Sequence, residues 1–222
     1  MYSFNFAIVI RNLPFLMTGL GWTIKLALMA IAGAIVVGLF VSLLRLSKLP
    51  VISQIARFYV DFFQSTPLLV QLIWIYYALP ILLNISLSAY LSTVLALWLK
   101  QGAFLAEIFR AGIQSINRGQ SEAAFVLGLT KRQALADVIL PQAFARMLPP
   151  IGSNLVVIVK DSSLASFLAV PELTYQATVL QSSTFRPIEV LTVLALIYFV
   201  VNYPLGLVVS YLEERVGSAE RH

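Results

Sequence analysis

The chain has 222 residues, 59% of them hydrophobic and 11% charged, with a mean hydropathy of +0.88 and a formal net charge of +5. Soluble domains carry about a quarter charged residues, so this chain cannot cover itself with polar surface and belongs in a bilayer. It has no cysteine, its single histidine is the final residue His222, and it contains no GxxxxGK[ST] string. These absences argue against thiolate metal sites, cysteine or histidine catalysis and a P-loop nucleotide site of its own.

The opening stretch MYSFNFAIVIRNLPFL has no basic region ahead of its apolar part and no small-residue cleavage site, so it does not read as a removed signal peptide. Residues 1–17 are expected to form an extracytoplasmic, interfacial segment, with Phe4, Phe6, Phe15 and Arg11 at headgroup level. A spanning helix needs about 20 mainly apolar residues. Five segments qualify, at about 18–44, 58–83, 89–109, 148–169 and 188–211, and residues 213–222 form a tail. The fold class expected is therefore all-α transmembrane, a five-span helical bundle.

On span two, Asp61, Gln64, Ser65 and Gln71 fall on one helical stripe, with a kink expected at Pro67. Asp61 lies four residues after Arg57, the spacing of an ordinary helix-surface ion pair. Span three holds Lys100 near its middle, and Thr93, Lys100 and Glu107 recur at sevens, so this face should point into the bundle. An ionisable group in hydrocarbon is costly and is a functional candidate by default; the competing reading is a structural pair with an acid on a neighbouring span.

Between spans three and four lies SEAAFVLGLTKRQ, residues 121–133. It reads as a helix capped by Ser121, with Glu122 at the positive end of the dipole, the helix formers Ala123 and Ala124, and Lys131 and Arg132 at the negative end. Ala124, Val126 and Leu127 make an apolar strip, Phe125 and Leu129 are four apart, and Gly128 is expected to bend the middle of the helix. Two readings are open on physical grounds: an amphipathic helix resting on the membrane, or a docking helix whose apolar residues enter a groove on a partner.

Span four contains Pro149, Pro150 and Gly152 and the polar run Lys160, Asp161, Ser162, Ser163, so it should be kinked or broken, with the polar run unwound along a cavity. Lys160 and Asp161 are neighbours whose side chains diverge on a helix, and two readings of the run are open: a structural role in the subunit interface, or direct contact with substrate. Glu172 and, on span five, Asn202 are weaker pathway candidates. Basic residues sort by loop: Arg45, Lys48 and Arg57, then Arg110, Arg118, Lys131, Arg132 and Arg146, then Arg215 and Arg221 fall on one face, with mainly Arg11 and Arg186 opposite. Basic loops stay in the cytoplasm, so the N-terminus is expected outside and the C-terminus and residues 121–133 inside. This topology, together with attraction to an anionic inner leaflet, accounts for the net charge without a nucleic-acid partner.

The string Glu122-Ala123-Ala124, Gly128, Val138 and Leu140-Pro141 resembles the EAA loop of inner-membrane permease subunits of bacterial ABC importers, departing from the usual pattern only at Val138, where isoleucine is common. STPLLVQL (65–72), AEIFRAGIQSINRGQ (106–120), LPQAFARMLPP (140–150) and VKDSSLASFLAVPEL (159–173) are similar to the polar amino-acid uptake branch of that family. The likeness runs from about 18 to 211. It implies a type I permease domain over 18–212 in the bacterial cytoplasmic membrane, moving a polar or charged amino acid by alternating access. It also implies an ATP-binding cassette ATPase dimer that binds the ATP and magnesium, so that this subunit is non-catalytic and holds no cofactor itself. A second permease subunit, identical or homologous, and an extracytoplasmic amino-acid-binding protein complete the implied assembly.

Carried onto this sequence, Glu122, Ala123, Ala124 and Gly128, with Phe125 and Leu129 beside them, become the residues that couple to the ATPase. Lys100, Gln64, Gln71, Lys160, Asp161, Ser162, Asp61 and Asn202 are the candidates for the substrate pathway. Relatives commonly have asparagine or another small polar residue near the position of Lys100, and arginine and glycine where this chain has Gln64 and Ser65. A pathway lysine tilts the expected cargo towards amino acids with an additional anionic group. An ion-gradient-driven transporter would show internal repeats, which are not evident, and a channel gives no reason for a docking helix.

Overall fold

The computed structural model describes residues 4–219, and these are helical almost throughout. Arg221 and His222 lie outside the described residues. The helices in chain order are α1 (Phe6–Arg11), α2 (Leu13–Arg45), α3 (Pro50–Ser65), α4 (Leu68–Ile73), α5 (Leu79–Leu83), α6 (Ala89–Gln114), α7 (Arg118–Val126), α8 (Lys131–Gln133), α9 (Leu140–Asp161), α10 (Leu173–Thr184) and α11 (Pro187–Ala219). Wider π-type turns join α4 to α5 and α8 to α9, and a 3-10 stretch, Ser162–Leu168, continues α9.

Four stretches are long and apolar enough to cross a membrane, and the pair α3 with α4–α5 counts as a fifth when taken as one broken span. That pair is bent by 106° where Thr66 and Pro67 are extended, a sharper event than the kink expected in one continuous span. The break separates Gln64 from Gln71, so the single stripe anticipated along span two does not exist. Pro67 has no N–H to give to a helix and biases Thr66 away from helical geometry, which sets the break at this point.

Span four departs in the opposite sense. α9 runs through Pro149 and Pro150 without ending, and Lys160 and Asp161 remain helical, so the polar run is not unwound; only from Ser162 does the chain tighten to 3-10 geometry. Adjacent prolines remove neighbouring backbone donors from a single turn, which confines the disturbance locally. The helix of span one, α2, is also longer than expected, beginning at Leu13 with Pro14 in its first turn, where a missing N–H costs little. Val9 and Leu16 are buried against Leu173, Ala177, Leu180 and Val190, so the N-terminal segment packs against α10 and α11 while Phe4, Phe6 and Arg11 stay exposed.

The centre of the bundle is the α2–α6 contact, the most extensive between any two helices. Helices in lipid gain from close van der Waals approach at small residues, and Gly33 provides it: a Cβ there would stand 2.0 Å from the Trp98 ring. Trp98 in turn donates its indole N–H to the Met29 carbonyl at 2.7 Å. Around this contact Leu26, Ala30, Leu72, Val94, Leu97 and Ile158 form the main core. At one end of the bundle Glu107 joins α6 to α2 through Arg45 at 3.5 Å and also pairs with Arg110 on its own helix. By contrast, the apolar surface of α11 is nearly all exposed.

Candidate functional site

α7 supplies the projecting helix anticipated from SEAAFVLGLTKRQ, but with different ends. It is capped by Asn117 and not by Ser121: Asn117, four residues further back, accepts the Gly119 N–H at 2.9 Å, so the helix begins at Arg118. Gly128 does not bend the middle; it ends the helix. With φ at +81° it sits in the left-handed region, donating its N–H to the Phe125 carbonyl at 3.0 Å while Leu129 donates to Ala124 at 3.1 Å. This paired closure uses the helix's last carbonyls, and glycine adopts it without the steric penalty of a side chain. Thr130 and Gln133 then cap α8 reciprocally. The former helix-spacing relation of Phe125 to Leu129 is thus lost across the turn.

Ala124 is buried, fixing one side of α7, and Gln142 of α9 reaches Gln120 at 3.4 Å. Glu122, Ala123 and Phe125 are exposed, Val126 and Leu127 are 87% and 80% exposed, and Leu129 is half-buried. Two consecutive, nearly bare apolar side chains beside a rigid glycine turn make a knob suited to a groove on a partner. Leu127, assigned to a strip with buried Ala124 by periodicity, belongs to this knob.

The second group of polar residues lies within the spans. Asn154 and Asp161 are two turns apart on α9 and therefore share a face, and between them they hold Gln101 of α6. Asn154 Nδ2 donates to Gln101 Oε1 at 2.9 Å, and Gln101 Nε2 donates to Asp161 Oδ2 at 2.7 Å. Gln101 and Asn154 are buried, and Asn154 Oδ1 has no hydrogen-bond partner. Sequence reasoning passed over both amides; an uncharged amide inside an apolar span was the available signal, overshadowed by Lys100 next door.

Lys100 donates from Nζ to the Thr66 carbonyl at 2.8 Å, with the Phe104 ring 5.8 Å away. No carboxylate among the described residues forms a direct ion pair with it, although the Asp161 charge acts on it at longer range. The structural pair weighed for Lys100 is thus replaced by a bond to the open end of α3, whose last carbonyls carry the negative end of the helix dipole. Gln71 converges on the same place. Its Nε2 donates to the carbonyls of Phe63 and Thr66, at 3.0 and 3.2 Å, and to the Thr66 hydroxyl. Lys100 and Gln71 therefore meet at Thr66.

The remaining candidates are dispersed. Asp61 pairs with Arg57 at 3.6 Å on the exposed face of α3, as an i,i+4 surface pair. Gln64 donates to the Ala103 carbonyl at 3.3 Å and lines a cleft of about 720 Å³ with Glu107, Ser115 and Arg146. Ser162 is buried and donates to Val159 at 2.7 Å. Lys160, one residue before Asp161, points away from α6 and lines a groove of about 450 Å³ on α11 with Tyr198, Asn202 and Gly206. Glu172 is fully buried and caps α10, accepting from the N–H groups of Thr174 and Tyr175 at 2.9 and 2.7 Å and from the Tyr198 hydroxyl at 3.2 Å.

A five-crossing helical bundle with a charged amide relay at its centre and a glycine-terminated apolar knob at one end defines a membrane transport subunit that works with a partner. Residues 34–218 match the family described as the binding-protein-dependent transport system inner membrane component, and the chain belongs to it. The glutamate/aspartate import permease protein GltK of Escherichia coli O6:H1 is 34% identical over 98% of this chain and 100% of its own length. The probable glutamine ABC transporter permease protein GlnM of Bacillus subtilis is 36% identical over 96% of this chain and 98% of its own. Among solved structures, that of an amino acid ABC transporter with histidines matches with a TM-score of 0.89 at 36% identity, covering 96% of this chain and 100% of that one. The chain is thus a permease subunit of an ABC importer, a family that works with ATPase and binding-protein partners, and the readings as an ion-gradient transporter or a channel fall away.

Proposed function

We propose that this permease imports an amino acid carrying net negative charge and that the Lys100–Gln101–Asn154–Asp161 group is where the cargo is read. The observation that carries this reading is the relay itself: a hydrogen-bonded amide chain in an apolar bundle, with a lysine at one flank and an unpartnered acceptor at Asn154. Lys100 and Asp161 offset one another, which leaves Lys160 as surplus positive charge on the adjoining groove, so an extra carboxylate on the cargo is favoured over an extra ammonium. The likeness to GltK, whose name specifies glutamate and aspartate, agrees with this. Of the other candidates, Gln71 braces the route by holding Thr66 beside Lys100, whereas Asp61 is held in its surface pair with Arg57.

In this reading the chain sits in the bacterial cytoplasmic membrane with its N-terminus outside and its C-terminus and α7 inside, supported by the placement of Arg45, Arg110, Lys131, Arg132 and Arg146. It pairs with a second permease, identical or homologous, takes cargo from an extracytoplasmic binding protein, and binds no cofactor itself. An ATPase dimer holds ATP and magnesium and performs the hydrolysis. Glu122, Ala123, Ala124, Phe125, Gly128 and Leu129 are the coupling residues: ATPase closure displaces α7, and because α7 is closed by the Gly128 turn and tied to α9 through Gln142, the displacement reaches the relay on α9 and α6. The test is uptake by proteoliposomes holding the assembled transporter, scored over a panel of acidic, neutral and basic amino acids. Preference for acidic cargo supports the reading; preference for basic cargo contradicts it.

A further inference from the structure

Lys25 lies on the exposed surface of α2 with its ammonium 4.8 Å from the centroid of the Trp22 ring and 5.9 Å from that of Tyr90. The two rings meet edge-on, 6.0 Å apart. Trp22 precedes Lys25 by three residues, on the turn over which a helical side chain leans, and Tyr90 comes from the first turn of α6. Among the described residues no carboxylate pairs with Lys25.

The depth of this group follows from helix geometry. About 20 residues of α2 separate Lys25 from Arg45, which at about 1.5 Å per residue is about 30 Å. The same spacing separates Tyr90 from Arg110 on α6. That distance is the thickness of the hydrocarbon layer. With Arg45, Glu107 and Arg110 joined at one boundary, Lys25, Trp22 and Tyr90 stand at the other. One turn deeper, Leu28 and Met29 are 61% and 45% exposed, an apolar track running towards the bilayer centre.

We propose that Lys25, Trp22 and Tyr90 form a site for the headgroup of an anionic phospholipid in the leaflet opposite Arg45, with an acyl chain along Leu28 and Met29. A zwitterionic headgroup brings its own ammonium to the phosphate, whereas an anionic one supplies the counter-charge that the protein does not. The aromatic rings hold the ammonium at headgroup level. This site is independent of the cargo and requires only that the chain span a membrane.

The test is native mass spectrometry of the assembled transporter titrated with phosphatidylglycerol or phosphatidylethanolamine. Wild type should retain phosphatidylglycerol in preference, Lys25→Gln should bind it about fivefold more weakly, and Lys25→Arg should keep the preference. Trp22→Leu, which leaves the charge in place, should weaken retention as a second, independent variant. Equal phosphatidylglycerol retention by wild type, Lys25→Gln and Trp22→Leu overturns the proposal. So does a zero-length cross-link from Lys25 to a carboxylate of the second permease, which would place this face against protein.

Discussion

Lys100 on α6 and Thr66 at the end of α3 are joined by a 2.8 Å bond from the ammonium to the carbonyl, so the mid-span lysine closes the break in span two. Gln71 uses the same carbonyl from the other side of Pro67. A cargo carboxylate that draws Lys100 to itself would therefore compete with the brace on the break. Lys100→Asn should lower kcat/KM for acidic amino acids by about tenfold, the cost of a lost charge-assisted hydrogen bond, with little change for neutral ones. Competition uptake assays check this, and an unchanged substrate profile would assign Lys100 to bracing alone.

The turn at Gly128 makes a graded prediction. The space around its Cβ position is open, so substitution is limited by backbone and not by contacts. Gly128→Asn, which tolerates left-handed geometry, should keep substrate-stimulated ATPase activity near the wild-type level. Gly128→Ala should cost about 1–2 kcal/mol locally, and Gly128→Pro should abolish coupling because proline cannot reach φ of +81° or donate to Phe125. Full stimulation in Gly128→Pro would remove the turn from the coupling path.

Gly33 tests the bundle's central contact. Gly33→Ala should destabilise the subunit by about 1–3 kcal/mol through overpacking against Trp98. A Gly33→Ala/Trp98→Phe double variant should recover part of that loss, read as the midpoint of thermal unfolding in detergent. Additive losses would mean that the two positions are not coupled.

Glu172 caps α10, buried under Tyr198 and Thr23. Glu172→Gln keeps one of the two oxygens that separately accept the Thr174 and Tyr175 amides and should transport with unchanged cargo preference. Glu172→Ala should lower stability by about 1 kcal/mol or more, again with preference unchanged. A shift in cargo preference in either variant would move Glu172 into the route.

Much of this architecture was legible in residue order. Hydropathy located the crossings, and Lys100 announced itself by its cost in hydrocarbon. The residues around α7 were legible as a helix, yet its ends were not. Ser121 and Asn117 are both good caps, and only the three-dimensional loop decides between them; Gly128 reads the same whether it bends a helix or closes one. Likewise Pro67 breaks a span while Pro149 and Pro150 do not, because the outcome depends on whether neighbours such as Gln71 and Lys100 donate to the freed carbonyls. The Asn154–Gln101–Asp161 relay was hidden for a related reason: two of its members are uncharged, and their meeting depends on the register of α6 against α9.

The most direct test of the central claim is acidic amino-acid uptake by proteoliposomes holding this permease with its partner permease and ATPase, compared with the same vesicles carrying Gly128→Pro. The account predicts uptake that requires ATP and the binding protein and is lost in the variant. Undiminished ATP-dependent uptake in Gly128→Pro, or uptake driven by an ion gradient without ATP, would contradict it.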